Sequence, residues 1–255
     1  LLDAVKGQPP TVPIFVFDKL SLSFHNLGVY VQDNWRPSAR LDLSYGLRWE
    51  FNPAPYARGS QSLYTLSGFD DLSSARIAPA GTPLYRASYA NLAPRFGLAY
   101  QVSRQPGMES IVRGGFGVFY DLGTGTIGES TLSFPHFRQK LVKGVPFPIG
   151  EAGAPPLLPS LEPPYNGQGF VIFAPDIRLP RTYEWNLTWQ QFLGTRQTIS
   201  ASYVGAEGRK LLRRVALAGS APNFSDGSID LTSNSATSDY HALQLQFQRQ
   251  LSRGL

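Results

Sequence analysis

The sequence predicts an all-β protein, an antiparallel up-and-down sheet, with a membrane-spanning barrel favoured over a soluble sandwich. Three observations carry this. Apolar residues recur at every second position over eight to twelve residues, which is the period of a strand. The segments with that pattern are joined alternately by short turns and long loops. The composition is aromatic and weakly charged: of 255 residues, 13 % are Phe, Trp or Tyr and 16 % are charged, against roughly 25 % charged in a typical soluble domain.

The segments, in chain order, begin with Leu27–Trp35, which sets Leu27, Val29 and Val31 against Gly28, Tyr30, Gln32 and Asn34. The clearest is "RLDLSYGLRWEF", Arg40–Phe51. Its odd positions are Leu41, Leu43, Tyr45, Leu47, Trp49 and Phe51, and its even positions are Arg40, Asp42, Ser44, Gly46, Arg48 and Glu50. Arg95–Val102 sets Phe96, Leu98, Tyr100 and Val102 against Arg95, Gly97, Ala99 and Gln101. Ile111–Tyr120 sets Val112, Phe116, Val118 and Tyr120 against Arg113, Gly115 and Gly117. Tyr183–Leu193 carries Tyr183, Trp185, Leu187, Trp189 and Leu193 on one face. Gln197–Ala206 carries Ile199, Ala201 and Tyr203. The last, "HALQLQFQRQL", sets Leu243, Leu245, Phe247 and Leu251 against Gln244, Gln246, Gln248 and Gln250. An eighth strand is available within Val12–Phe24, weakened by Pro13, which cannot donate to a central ladder.

The first two segments are joined by "WRPSAR", the third and fourth by "SRQPGMES", the fifth and sixth by "GTR". Between these pairs lie Asn52–Leu92, Asp121–Pro180 and Glu207–Ser238. In an up-and-down sheet this puts every tight turn at one end and every long loop at the other. Outer-membrane barrels have that asymmetry, with short periplasmic turns and long extracellular loops. Long loops without structure count against a compact soluble domain. Strands of about 9–11 tilted residues cross the hydrocarbon core, and rings settle at the two headgroup levels. The polar faces are rich in Gly, Ser, Thr, Gln and single Arg rather than in the Lys, Glu and Asp of a soluble surface.

Other chemistry is weakly represented. There is no Cys, which excludes disulfides and thiolate catalysis. The net charge of +5 comes from scattered basic residues, not the runs that mark nucleic-acid binding. No stretch approaches 18 consecutive apolar residues, so no transmembrane helix is expected. The opening "LLDAVKGQPP" lacks the pattern of a signal peptide; either the protein is not exported or this is not its native start. "GTGTIG" (Gly123–Gly128) satisfies a dinucleotide-binding spacing, but the next residues, "ESTLSFPHF", are β-prone and include Pro135. A flexible loop leaving a strand is expected there. "RGGFGVFY" (Arg113–Tyr120) comes near an RNA-binding signature with an extra Gly, and no βαββαβ pattern surrounds it. His25, His136 and His241 lack ligand spacing, and Asp70-Asp71 reads as a solvated loop tip. No G-x-S-x-G elbow is present. Neither a catalytic residue, a metal site nor a cofactor is expected.

"GVYVQDNWRPSARLDLSYGLRWEF" (Gly28–Phe51) resembles a strand–turn–strand of TonB-dependent outer-membrane receptors, in the Oar-like branch that carries a carboxypeptidase-regulatory-like N-terminal domain. "NLAPRFGLAY" (Asn91–Tyr100), "IVRGGFGVFYD" (Ile111–Asp121), "RTYEWNLTWQQFLG" (Arg181–Gly194), "SYVGAEGRKLL" (Ser202–Leu212) and "DYHALQLQFQRQLSRGL" (Asp239–Leu255) resemble the same branch in the same order. The match covers most strands and little of the loops. The resemblance implies a barrel of about 22 strands filled by an N-terminal plug, and energised import of a scarce ligand (glycan, chelated metal or peptide). The import would be driven by the TonB complex acting through the plug. The implied location is the bacterial outer membrane.

The sequence departs from that family in having no plug, no energy-coupling segment and no terminal aromatic residue at Leu255. Residues 1–255 therefore read as an internal part, about seven to eight strands, of a single larger barrel domain. On this reading Arg40, Asp42, Arg48, Glu50, Arg95, Arg113, Gln244, Gln246 and Gln248 face the lumen. Trp35, Tyr45, Trp49, Phe51, Tyr100, Tyr120, Trp185 and Trp189 face lipid or its aromatic girdles. A ligand is expected on the three long loops. The partners are outer-membrane lipid, the TonB complex through the missing plug and an unknown small ligand, with no nucleic acid. Two other readings remain. One is a complete small outer-membrane barrel with a structural or adhesive role, which needs its eighth strand in Val12–Phe24. The other is a soluble β-sandwich binding module.

Overall fold

The structure is a computed structural model that describes residues 11–145, 148–165, 169–217, 221–224 and 229–250. Leu251, Leu255 and the opening decapeptide lie outside them. The alternating segments form seven long strands: β3 (Leu27–Ser38), β4 (Leu41–Phe51), β8 (Asn91–Ser103), β9 (Ser110–Tyr120), β12 (Arg181–Leu193), β13 (Gln197–Leu217) and β14 (Ile229–Arg249). They pair as an antiparallel meander in that order. A short strand, β11 (Phe170–Phe173), adds to the far side of β14 in parallel, Phe170↔Ile229 to Phe173↔Thr232. No helix among the described residues is long and apolar enough to cross a membrane.

Three expectations need correction. The stretch within Val12–Phe24 does form strands, but none joins the large sheet. β1 (Thr11–Phe17) pairs with β10 (Phe137–Lys143), and β2 (Ser21–Ser23) pairs with β5 (Tyr56–Arg58). The complete small barrel therefore lacks its eighth wall strand. Second, much of Glu207–Ser238 is not loop. The β13–β14 hairpin continues into it, and each of its strands is 21 residues long. At about 3.3 Å per residue such strands reach roughly 70 Å, well past a hydrocarbon core of about 30 Å. Beyond that length the hairpin packs on the folded connections, with Ile229 1 % and Thr232 0 % exposed, so strict alternation disappears although the ladder goes on. Third, "GTGTIG" is not merely a loop. Gly123, in the left-handed region at φ 59°, caps α1 (Thr124–Gly128), which runs into a 3₁₀ turn at Glu129–Leu132. No βαβ unit surrounds it.

Proline placement explains smaller boundary differences. β8 begins at Asn91, so Pro94 lies inside it, opposite Leu47. In β3, Arg36 and Pro37 fall in a bulge between the pairs Trp35↔Leu43 and Ser38↔Leu41, where a missing N–H is tolerated. Arg40 occupies the turn itself, one residue before β4.

The packed core lies within the long connections and against the loop end of the large sheet, where β11 and Ile229 of β14 join it; β6 (Leu66–Ser67) and β7 (Arg76–Ile77) form a further small hairpin there. One cluster comprises Leu66, Ala75, Phe134, Tyr165, Phe170, Ile172, Ala221, Phe224 and Ile229. The other comprises Leu63, Leu84, Ile127, Phe173 and Ile177. β11 divides them. Its side chains alternate, Phe170 and Ile172 entering the first cluster and Phe173 the second. The wall strands, by contrast, leave Val31, Leu243 and Leu245 about seven-tenths exposed (69 %, 68 % and 73 %). A sandwich would bury such a row beneath a second sheet. Here the loops are the compact part and the apolar wall is bare.

Candidate functional site

Strand parity and register assign each wall residue to one of two faces. The polar face is organised by paired side chains over a floor of small residues. Arg48 Nε donates to Glu50 Oε1 at 2.6 Å. Arg36 pairs with Asp42. The Arg95 guanidinium lies over the Phe119 ring, 4.6 Å from its centroid. Arg113 Nη1 donates to Gln190 Oε1 at 2.8 Å, and Thr188 Oγ1 to Ser202 Oγ at 2.9 Å. Gln244, Gln246 and Gln248 stand opposite Ser202, Ser200 and Thr198. The glycines make room for these groups. A Cβ on Gly28 would come within 2.9 Å of Arg48, and one on Gly97 within 2.5 Å of Ser44 Oγ. The result is a trough of about 760 Å³ lined by Arg36, Asp42, Gly97, Arg113, Gly115 and Asn186, among others.

The other face carries Trp35, Tyr45, Trp49, Phe51, Tyr100, Tyr120, Trp185 and Trp189 among aliphatic residues. One hydrogen-bonded row runs Asp33, Tyr45, Phe96, Phe116, Trp185, Gly205, His241. Counted from the tight turns, this row is four residues up at Tyr45 (from Leu41), six at Phe116 (from Ser110) and eight at Trp185 (from Leu193). That steady stagger is the shear of strands tilted against a barrel axis. Two polar groups on this face went unread in the sequence. Tyr45 Oη donates to Asp33 Oδ2 at 3.0 Å, and Tyr203 Oη lies 2.8 Å from His241 Nδ1. Parity alone placed both, because Asp33 comes after Val29 and Val31, and His241 precedes Leu243.

The long connections form a second candidate region. Asn91 ties them to the wall: its Nδ2 donates to Glu50 O at 3.0 Å and to Ser88 O at 2.9 Å. Asn234 does the same for β14, holding the backbone of Arg178 through Oδ1 at 2.6 Å and Nδ2 at 2.9 Å. Between the two apolar clusters lies an open cavity of about 500 Å³, lined by Pro53, Thr65, Phe69, Tyr85, Arg86, Tyr89 and Pro175, among others. Sequence reasoning missed it. The only local signals were the aromatic and proline content of Leu63–Tyr89 and the continuous apolar run of β11. Asp71 caps the 3₁₀ turn Leu72–Ser74 by accepting from Ser73 N at 2.9 Å, and its hydrogen bonds from Ser73 hold its carboxyl below the usual range. Among the described residues no cluster of His, Asp and Glu is placed to bind a metal ion.

An open, sheared, antiparallel meander with one bare apolar face defines part of a transmembrane β-barrel. Residues 3–255 match the family model "Outer membrane beta barrel domain", and the chain belongs to that family. Its place is therefore the outer membrane, and the soluble sandwich is excluded. Among solved structures it is similar to the outer membrane transporter YddB from Escherichia coli, with 14 % identity and a TM-score of 0.43. The similarity covers 89 % of this chain and 31 % of that one, so this chain spans about a third of that transporter. No curated protein matches the sequence.

Proposed function

We propose that this chain is wall and loops of a TonB-dependent outer-membrane transporter, Oar-like in type, that imports a scarce ligand and catalyses no reaction. The observation that supports it best is the order of the resembling segments along the meander, Gly28–Phe51 through Asp239–Arg249. The polar face lines the lumen, and Arg48, Glu50, Arg95 and Arg113 meet a plug domain there. The aromatic face meets lipid. The tight turns point to the periplasm, and the folded connections reach outward as the surface that captures the ligand.

The test is made on the native chain in its own outer membrane. Seven wall strands in 255 residues scale to roughly 800 residues for about 22 strands. A membrane-bound chain of that size or larger, retained by an immobilised periplasmic domain of its own TonB, supports the reading. A native chain of 28.0 kDa, or a long chain that TonB does not retain, overturns it.

A further inference from the structure

We infer that the cavity in the long connections binds a small amphipathic carboxylate, with its apolar body between Phe69, Tyr85 and Tyr89 and its carboxylate on Arg86. The cavity's size, about 500 Å³, lies in the usual range for small-molecule sites, roughly 300–1,000 Å³. It opens between the two loop clusters, since Leu66 and Phe69 belong to the first while Ala54, Leu84 and Tyr85 belong to the second. Its walls are rigid for a loop site. Three prolines line it, and Arg86 N is fixed to Pro175 O at 2.9 Å.

The polar groups select the sign of the ligand. Arg86 is the one charged residue among those lining the cavity, and no carboxylate pairs with it among the described residues. Asp70 and Asp176 adjoin Phe69 and Pro175 in sequence but do not line the site. The remaining polar side chains are the hydroxyls of Thr65, Thr82, Tyr85 and Tyr89, of which Thr82 Oγ1 already donates to Pro79 O at 2.7 Å. Thr65 is only 4 % exposed and its Oγ1 is closed off from the cavity, so the hydroxyls free to meet a ligand are the phenols of Tyr85 and Tyr89. Burial pushes the Tyr85 phenol up to about 12, so it stays a neutral donor. An unpaired cation and two phenols around an apolar cavity fit one anionic acceptor on an apolar body.

The inference rests on the loops taking part in ligand capture, but not on energised import. The experiment is a titration of the purified full-length protein in detergent, without TonB, with 2-naphthoate and with its neutral counterpart 2-naphthylmethanol as probes. The expected result is saturable binding of the acid, about tenfold or more tighter than the alcohol. Arg86→Gln removes that preference and Arg86→Lys retains most of it. Tyr85→Phe weakens binding several-fold without lowering the melting temperature. Absence of saturable binding, equal affinity for acid and alcohol, or unchanged affinity in Arg86→Gln overturns the inference. Binding by a protein that TonB does not retain sinks the transporter reading alone. TonB retention without binding sinks the cavity alone.

Discussion

At the scale of single residues, small side chains decide where large ones can lie. Trp185 rests on the bare backbone of Gly205 across the β12–β13 ladder. A Cβ at Gly205 would come 2.3 Å from the indole. The ring covers a position that would otherwise expose unprotected backbone, the arrangement by which aromatics compensate strand glycines. Gly205→Ala forces the indole off its site, and overpacking of this kind costs about 1–3 kcal/mol. Melting of the native-length protein in detergent should show that loss. Combining the substitution with Trp185→Leu should recover much of it, because the two residues share one contact. Additive losses in the double variant would mean that the contact is not the cause. Gly205 itself is unremarkable in the sequence. Only the register, which joins two strands across the "GTR" turn, shows what it accommodates.

At the scale of elements, the two faces of each strand carry opposite rules. Leu245 and Gln246 are neighbours on β14, and both are exposed. If the aromatic face meets lipid, Leu245→Arg costs about 2–4 kcal/mol near the midplane, whereas Gln246→Arg costs little. Denaturant titration of the two variants in lipid vesicles tests the sidedness, and equal costs would refute it.

The folded connections obey soluble-protein rules instead. His136, 3 % exposed, is held below its ordinary pKa, chiefly by burial and also by Arg138, against the opposing pull of Asp18 and a backbone hydrogen bond involving Ser62. Its unfolded value is about 6.5. Below that pH the unfolded chain takes up the proton first. The loops therefore lose stability as pH falls from about 6.5 through the lower folded value, and keep it above. Protease nicking of the loops should rise between pH 7 and pH 5. The rise should be smaller in His136→Phe, which has no proton to take up, and an equal rise would exclude His136 as its cause. The sequence made the wall strands legible because lipid and polar interior impose alternation on Leu41–Phe51 and its relatives. It left the loop core illegible because Phe134, Tyr165, Phe170 and Phe224 are brought together from distant stretches, with no local period.

At the scale of the whole molecule, the register converts these strands into a tilted wall that does not close. Among the described residues β3 pairs only with β4, and β14 below its junction with β11 pairs only with β13. Both leave unpaired N–H and C=O groups beside exposed side chains such as Tyr30 and Val31 (68 % and 69 %) and Leu243. Such edges are not tolerated in hydrocarbon, where each unpaired group costs several kcal/mol, and in water they template aggregation. The sequence conveyed the number and order of wall strands, but neither the stagger of the Tyr45–Trp185 row nor the two free edges, which arise from pairing between strands far apart in the chain. The expected behaviour of residues 11–250 produced alone is set by those edges. The segment should precipitate on removal of denaturant, or enter detergent only as mixed oligomers, while the native-length chain refolds into vesicles as a discrete species that migrates faster unheated than boiled. A monodisperse folded monomer of the segment would require β3 and β14 to pair with each other. Seven antiparallel strands cannot all alternate around a closed ring, so that pair would have to be parallel, unlike the even-numbered barrels typical of bacterial chains. Crosslinking of cysteines introduced at Val31 and Leu245 in the refolded segment distinguishes this closure from an open sheet joined edge to edge between molecules: an intramolecular bond would show a self-sufficient barrel and remove the need for further strands.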